Sequence, residues 1–355
     1  MSQTKRVILS LNDGFCFFAQ VCKQWRTDDE EKIFEYQLTN KNGIQISFIE
    51  YGATITSLKI PLSSGKKVDV VLGFDNLEDY INSFDLPNAP YFGAIIGQYS
   101  GRIKNAYFAL NGEKISLIAN SGENHIHGGN QCFSKQKWEL SEFNEIENAI
   151  TFSLTTQENQ ENYPGSLKVN VKYQLNENNQ LIVEYSAIST KDTIINLTQH
   201  SYFNLDGHET DVLSQELQIN SDKFLETDEH NIPSGKFLDC KNSVFNYSSP
   251  KECPEKIDNT FVLNKENDFA ASLFSKKSNL KLNVYTNQPA VHIYVGGNCF
   301  NQIKGKENTN YHPLSGICFE TQNFPDAPNH NNFPSAVLKE GETYYQKTIF
   351  EFIKI

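Results

Sequence analysis

The sequence predicts an all-β protein built as a large antiparallel sandwich with few short helices. Two observations predict this. Apolar and polar residues alternate with period 2 in run after run, the pattern of strands with one buried face. Turn-forming clusters separate these runs, and amphipathic stretches at helical spacing are scarce.

Taken in order, strand-length runs appear at GIQISFIE (43–50), ATITSLKI (53–60) and KKVDVVLGF (66–74). NLEDYIN (76–82) is the one candidate for a short helix. ITFSL (150–154) follows, inside an Asn/Gln/Glu-rich patch (145–162) that reads as solvated loop and strand edges. Tyr163-Pro164-Gly165 fits a type II turn, because Pro presets φ and Gly tolerates positive φ. Leu167, Val169, Val171, Tyr173 and Leu175 then share one face, opposed by Lys168, Asn170, Lys172 and Gln174. The turn NENNQ leads into LIVEYSA, so 167–187 reads as a hairpin. Later runs are LKLNVY (280–285), VHIYV (291–295), GICFE (316–320) and KTIFEF (347–352). Neither a repeat nor a Gly/Ser linker divides the chain. The first forty residues alternate less clearly, so 1–33 is expected to be an N-terminal elaboration and 34–355 a single domain.

Composition narrows the function classes. The 355 residues are 38% hydrophobic and include 25 Phe, enough for a sizeable core. A net charge of −12 argues against nucleic acid and anionic membrane surfaces, which reward clustered Lys and Arg. The seven cysteines are scattered without CxxC spacing, which suggests reduced thiols rather than a zinc ribbon or disulfide framework. No apolar run reaches the roughly 18 residues of a membrane span. No signal-peptide pattern appears at the N-terminus. A cytoplasmic protein, monomeric or weakly dimeric, is expected.

Four segments combine a titratable residue with unusual composition. GAIIGQYSGRIKN (93–105) places Arg102 after a glycine-rich stretch, where its forked donors suit sugar hydroxyls or an oxyanion. The alternative is an ordinary surface Arg on a strand end. ENHIHGG (123–129) sets His125 and His127 two apart, on one face of a strand, a spacing that suits a metal. The next carboxylate is only at Glu139, so ordinary hydrogen-bonded histidines or a ligand-binding His fit better. INLTQHSYFNLDGH (195–208) holds His200 and Tyr202; an imidazole titrating near pH 6.5 serves as acid or base, or simply anchors a loop. In GICFETQNFPDAPNH (316–330), Glu320 ends an apolar strand, where a carboxylate is costly without a partner or a task. Asp258, in KIDNTFVL, leads into an apolar strand in the same way. Together these suit proton transfer on a polyhydroxylated substrate. No GxSxG elbow, Walker motif or GxGxxG fingerprint competes.

In order and along nearly the whole chain, these segments resemble the aldose 1-epimerase (galactose mutarotase) family. The resemblance begins with FEYQLTNKNGIQISFIEYGATITSLKIP near Phe34 and runs through DVVLGFDNLEDY, YFGAIIGQYSGRIKN, NHIHGG and YPGSL. It continues through NLTQHSYFNLDGH, IDNTFVLN and FETQNFPDAPNHNNFPSAVLKEGETY. It implies the mutarotase-like supersandwich, an open sugar cleft and an isomerase without metal or organic cofactor. It implies that Glu320 is the general base and His200 the general acid. Arg102, His127 and Asp258 fall on substrate-binding positions, and Tyr202 on a position lining the sugar site. His292 falls where a sugar-contacting Gln is usual and is counted with the binding residues. Gln98 stands where the family often has Arg, and Gly101 where Asn is common. His125 lies at a position the family varies. The alternatives on the same fold are a catalytically silent sugar-binding module and a hexose-6-phosphate epimerase, which should carry more Arg or Lys in its cleft.

Overall fold

The computed structural model describes residues 5–10, 16–26, 32–264, 268–297 and 303–355. The all-β expectation is met by three large antiparallel sheets, with Leu77–Asn82 the α-helix among the described residues. Its N-cap is Asn76, whose side chain accepts from the Asp79 N–H at 2.9 Å.

One layer is a nine-stranded sheet. The predicted hairpin forms within it as Leu167–Leu175 and Gln180–Ser189, from the Leu167–Ser189 pair to the Leu175–Leu181 pair. The C-terminal strand Thr343–Lys354 lies between Gln180–Ser189 and Leu280–Thr286, so both ends of the domain's later sequence close on one sheet.

Two six-stranded sheets form the other layer. The first runs from Lys5–Ser10 through Cys16–Arg26, Lys32–Thr39, Gln45–Ile49 and Thr54–Pro61 to Lys67–Asp69. The run predicted over 66–74 is a regular strand only to Asp69. Beyond it, a Val71–Phe203 bridge and a bond from Leu72 N–H to the Tyr202 carbonyl tie this sheet to the second one. The second has the order Tyr202–Phe203, Ile317–Gln322, Ala290–Val295, Ile257–Val262, Lys223–Thr227 and Pro233–Asp239.

The main core lies between the layers. It joins Phe48, Ile55 and Leu58 of the first six-stranded sheet, Val171, Tyr173, Leu282 and Phe350 of the nine-stranded sheet, and Phe261, Ile293 and Phe319 of the second. The Phe48 and Tyr173 rings are 4.6 Å apart, and the Phe203 and Phe350 rings 5.2 Å, each pair spanning the layers. The Tyr173 hydroxyl donates to the Ala53 carbonyl at 2.7 Å, so this buried phenol is satisfied. With one face of the second six-stranded sheet occupied by this core, its other face is left to build a cleft.

Candidate active site

A cleft of about 290 Å³ opens on that outer face. Thr260 on Ile257–Val262, His292 on Ala290–Val295 and Glu320 on Ile317–Gln322 are direct cross-strand partners and form one row of its floor. The adjacent row is Asp258, Tyr294 and Cys318. Because strand side chains alternate, the residues of these rows share a face, opposite Phe261, Ile293 and Phe319 in the core.

Glu320 is 3% exposed, and His200 Nε2 stands 3.4 Å from its Oε1. The backbone of His200 is held in both directions: its N–H donates to Ala94 O and its carbonyl accepts from Gly93 N–H, each at 3.0 Å. On the far side of the ring, Nδ1 lies 3.8 Å from the Cys318 sulfur. Nε2 is thus the nitrogen that faces the carboxylate and the cleft. His200, Cys318 and Glu320 each bring a potential ligand atom within 4.8 Å of the others. A single ion engages one nitrogen of an imidazole, whereas His200 meets the thiol and the carboxylate with opposite nitrogens. The carboxylate lies at ion-pair distance from one nitrogen and the thiol at a long sulfur hydrogen-bond distance from the other.

His127 enters from the glycine-rich segment. Strand pairing stops at Ile126, which is opposite Arg102, and His127 takes a left-handed φ of 53° that turns it into the cleft. Gly128 follows with φ 87°, and a Cβ there would lie 1.9 Å from the Gly97 carbonyl oxygen, so only Gly fits. The N–H of Gly101 donates to His127 Nδ1 at 3.3 Å, which leaves the proton of the neutral ring on Nε2. Burial, and then the charges of His200 and Arg102, hold the His127 pKa well below the usual imidazole value.

Left-handed backbone at residue 127 also corrects the expectation that His125 and His127 face the same way. His125 is fully buried, with Nδ1 2.7 Å from the Ile118 carbonyl and Nε2 2.6 Å from the Tyr163 hydroxyl. Both ring nitrogens are used, and no metal pair forms with His127.

Arg102 is set by the loop after Glu320. The Asp326 N–H donates to the Arg102 carbonyl at 2.7 Å, and Asp326 Oδ1 accepts from Lys104 N–H at 3.0 Å. Buried Asn196 joins the same parts: its amide donates to the carbonyls of Ser100 and Asn323, and its oxygen accepts from Asn323 N–H at 2.8 Å. The guanidinium of Arg102 lines the cleft and has no hydrogen-bond or ion-pair partner among the described residues.

Asp258 and His292 meet directly. His292 Nε2 is 3.0 Å from Asp258 Oδ1, His292 Nδ1 is 2.8 Å from the Thr260 hydroxyl, and Asn231 donates to Asp258 Oδ2 at 2.8 Å. Burial raises the Asp258 pKa, but the His292 hydrogen bond and the charges of His292, Arg102 and Lys256 bring it below the ordinary carboxylate value.

A family model described as aldose 1-epimerase matches residues 35–351. The chain belongs to the aldose 1-epimerase family. It is 38% identical over 320 residues to the galactose mutarotase of Bos taurus, covering 87% of this chain and 91% of that protein. It is 32% identical over 333 residues to the aldose 1-epimerase of Escherichia coli K12, covering 89% and 94%. A solved aldose epimerase homologue from C. elegans superposes with a TM-score of 0.83 at 29% identity, over 90% of this chain and 98% of that one. The chain is accordingly an isomerase, a mutarotase on the mutarotase-like fold.

Two expectations drawn from the family meet a different geometry. Tyr202 is 2% exposed and does not line the cleft; it packs behind His200, ring centroids 5.3 Å apart, and against Phe92 and Tyr294. As the cross-strand partner of Cys318 it extends the row of Asp258, Tyr294 and Cys318 and backs the His200 ring. Gln98 is also outside the cleft lining, because its amide donates to the Thr193 hydroxyl and the Ile194 carbonyl at 3.0 and 2.9 Å. Gly101 does line the cleft. Its φ of 78° is one that Asn also tolerates, so the replacement keeps the backbone and removes a side chain.

Sequence reasoning missed Tyr91, Tyr294 and Gln322, all lining the cleft. Tyr294 and Gln322 lie two residues after His292 and Glu320, so strand alternation was a usable signal. Tyr91 sits in a loop with φ 52°, its ring 5.1 Å from that of His127 and 5.9 Å from that of His200. No local pattern marks it.

Proposed function

We propose that this mutarotase interconverts the α and β anomers of free aldoses such as glucose and galactose, with Glu320 as base and His200 as acid. The observation that carries the reading is the 3.4 Å approach of Glu320 Oε1 and His200 Nε2 on the cleft floor. A cyclic aldose is a hemiacetal whose ring opens when the C1 hydroxyl loses a proton and the ring oxygen gains one. Both oxygens are bonded to C1, so a base and an acid in contact can address them together. Ionised Glu320 takes the C1 hydroxyl proton while protonated His200 gives its proton to the ring oxygen. Rotation about C1–C2 presents the other carbonyl face, and reclosure returns both protons. Each positioned proton transfer contributes about 10²–10⁴-fold.

The remaining residues orient the sugar. Neutral His127 and Arg102 donate to hydroxyls and to charge developing on oxygen, and ionised Asp258 accepts. Tyr91 and Tyr294 offer rings to the apolar faces of the pyranose. No step requires a metal or organic cofactor. Residues 34–355 form the catalytic domain in this reading, with 1–33 as an appended element. The chain acts in the cytoplasm as a monomer or weak homodimer, without nucleic-acid or membrane partners. No described helix is long and apolar enough to cross a membrane.

The test is polarimetry on freshly dissolved α-D-glucose and α-D-galactose with chelator-treated protein. Faster relaxation to the same final rotation is expected, and the ratio of rates ranks the sugars. Failure across a panel of aldoses, with sugar binding retained, would replace this reading with a silent binding module.

A further inference from the structure

The departure at His292 has a consequence for how the cleft holds its sugar. A Gln at this place offers a donor and an acceptor to the substrate. His292 has only two polar atoms, and the protein already engages both: Thr260 at Nδ1 (2.8 Å) and Asp258 at Nε2 (3.0 Å). The three residues form a chain from the Thr260 hydroxyl through the imidazole to the Asp258 carboxylate. Thr260 and His292 are register partners on neighbouring strands, so the origin of the chain is fixed by the sheet. Asn231 fixes the other carboxylate oxygen.

We propose that His292 is a positioning residue that recognises sugar only through Asp258, holding that carboxylate ionised and correctly turned toward the substrate. The proposal rests on the mutarotase reading of the cleft. An imidazolium between a hydroxyl and a carboxylate donates at both nitrogens, which locks the Asp258 rotamer and leaves its outward lone pairs for sugar hydroxyls. When the ring loses its proton, the Thr260 hydroxyl donates to Nδ1 instead and Nε2–H still reaches Asp258, but that bond loses its charge assistance and the hold on Asp258 slackens.

The groups facing His292 are consistent with this. Asp258 and Glu320 are its acidic neighbours, with Arg102, His127 and His200 as the basic ones. Burial opposes the charged ring, yet the hydrogen bond and charge of Asp258, with the charge of Glu320, raise the His292 pKa above the usual value, against Arg102. The protonated pair therefore persists above the ordinary imidazole range and is lost as pH rises through the raised value.

A double-mutant cycle read by polarimetry tests the proposal, using Asp258→Asn, His292→Ala and the double variant, since a Gln would bring a sugar contact of its own. Asp258→Asn should raise KM roughly tenfold or more, as loss of a charged hydrogen bond does. His292→Ala should raise KM by less than Asp258→Asn does, as expected of a residue that acts on the sugar through that carboxylate. The double variant should have a KM within about twofold of Asp258→Asn alone, since neighbouring residues that act as one unit are not additive. In the parent protein KM should rise at alkaline pH, and His292→Ala should remove that limb. Thr260→Val should move the limb to lower pH while the purified variant keeps its melting temperature within a few degrees. Additive penalties in the double variant, or an alkaline limb that survives His292→Ala, would overturn the proposal by showing a direct sugar contact. If the parent protein accelerates mutarotation of no aldose, the reading of the cleft fails instead, and the two failures are thereby distinguished.

Discussion

Glu320 Oε1 and His200 Nε2 face each other across 3.4 Å, with the two side chains only 4% and 5% exposed. Two groups that exchange protons with the two oxygens on one sugar carbon act as a unit, and this sets the first expectation. Glu320→Gln keeps the shape and removes the base, so turnover should fall by about 10²–10⁴-fold while a calorimetric titration still detects sugar. Full activity in this variant would refute the assignment of Glu320.

The same contact predicts non-additivity. His200→Asn should cost a similar factor, and the Glu320→Gln/His200→Asn double variant should be no slower than the worse single variant by more than about threefold. Multiplying losses would mean that the residues serve separate steps.

Some of this site was legible in the sequence, and the division has a physical basis. Alternation over 167–175 places those side chains because it is local, and the same rule applied to Glu320 and His292 reaches Gln322 and Tyr294. Register is a different matter. Thr260, His292 and Glu320 become neighbours because three strands separated by long connections pair in one row, and no periodicity within a strand specifies its partner. The two histidines of NHIHGG show the limit from another side. They share a spacing, but a left-handed residue between strand and turn sends His125 into a buried cluster and His127 into the cleft. The glycines after His127 were visible; the direction of the turn was not.

His125 and Tyr163 give a prediction that separates support from chemistry. The Tyr163 hydroxyl is 2.6 Å from His125 Nε2 in a fully buried pair. Tyr163→Phe strands that nitrogen and should cost about 1–3 kcal/mol in urea unfolding. Sugar KM and kcat should stay within about twofold. A large loss of kcat with normal stability would assign His125 to the reaction.

Gly101 lines the cleft at a left-handed φ of 78°, where the family commonly has Asn. Gly101→Asn should fold, since Asn tolerates that conformation, with its Cβ close to Pro325 at 3.0 Å. One added hydrogen bond to a hydroxyl is worth about 0.5–1.5 kcal/mol, so KM for the preferred sugar should fall roughly two- to tenfold. An unchanged KM for every aldose tested would show that the side chain at this place does not reach the substrate.

The pH dependence of stability follows from His127. Its pKa is held well below the usual imidazole value, first by burial and then by the charges of His200 and Arg102. A group depressed in the folded state takes up its proton more readily when unfolded. Its contribution is complete above the unfolded value near 6.5 and is lost as pH falls below it. His292, raised by Asp258 and Glu320 against its burial, has the opposite sign and contributes below 6.5. The bare profile mixes the two, so the test is a difference. His127→Asn suits the left-handed backbone at 127 and carries no titrating group. Between pH 7 and pH 5 the unfolding free energy of the parent protein should fall more steeply than that of His127→Asn, measured by urea denaturation at each pH. Parallel profiles would mean that His127 keeps its ordinary affinity for protons in the folded cleft, and the neutral-donor role assigned to it would have to be withdrawn.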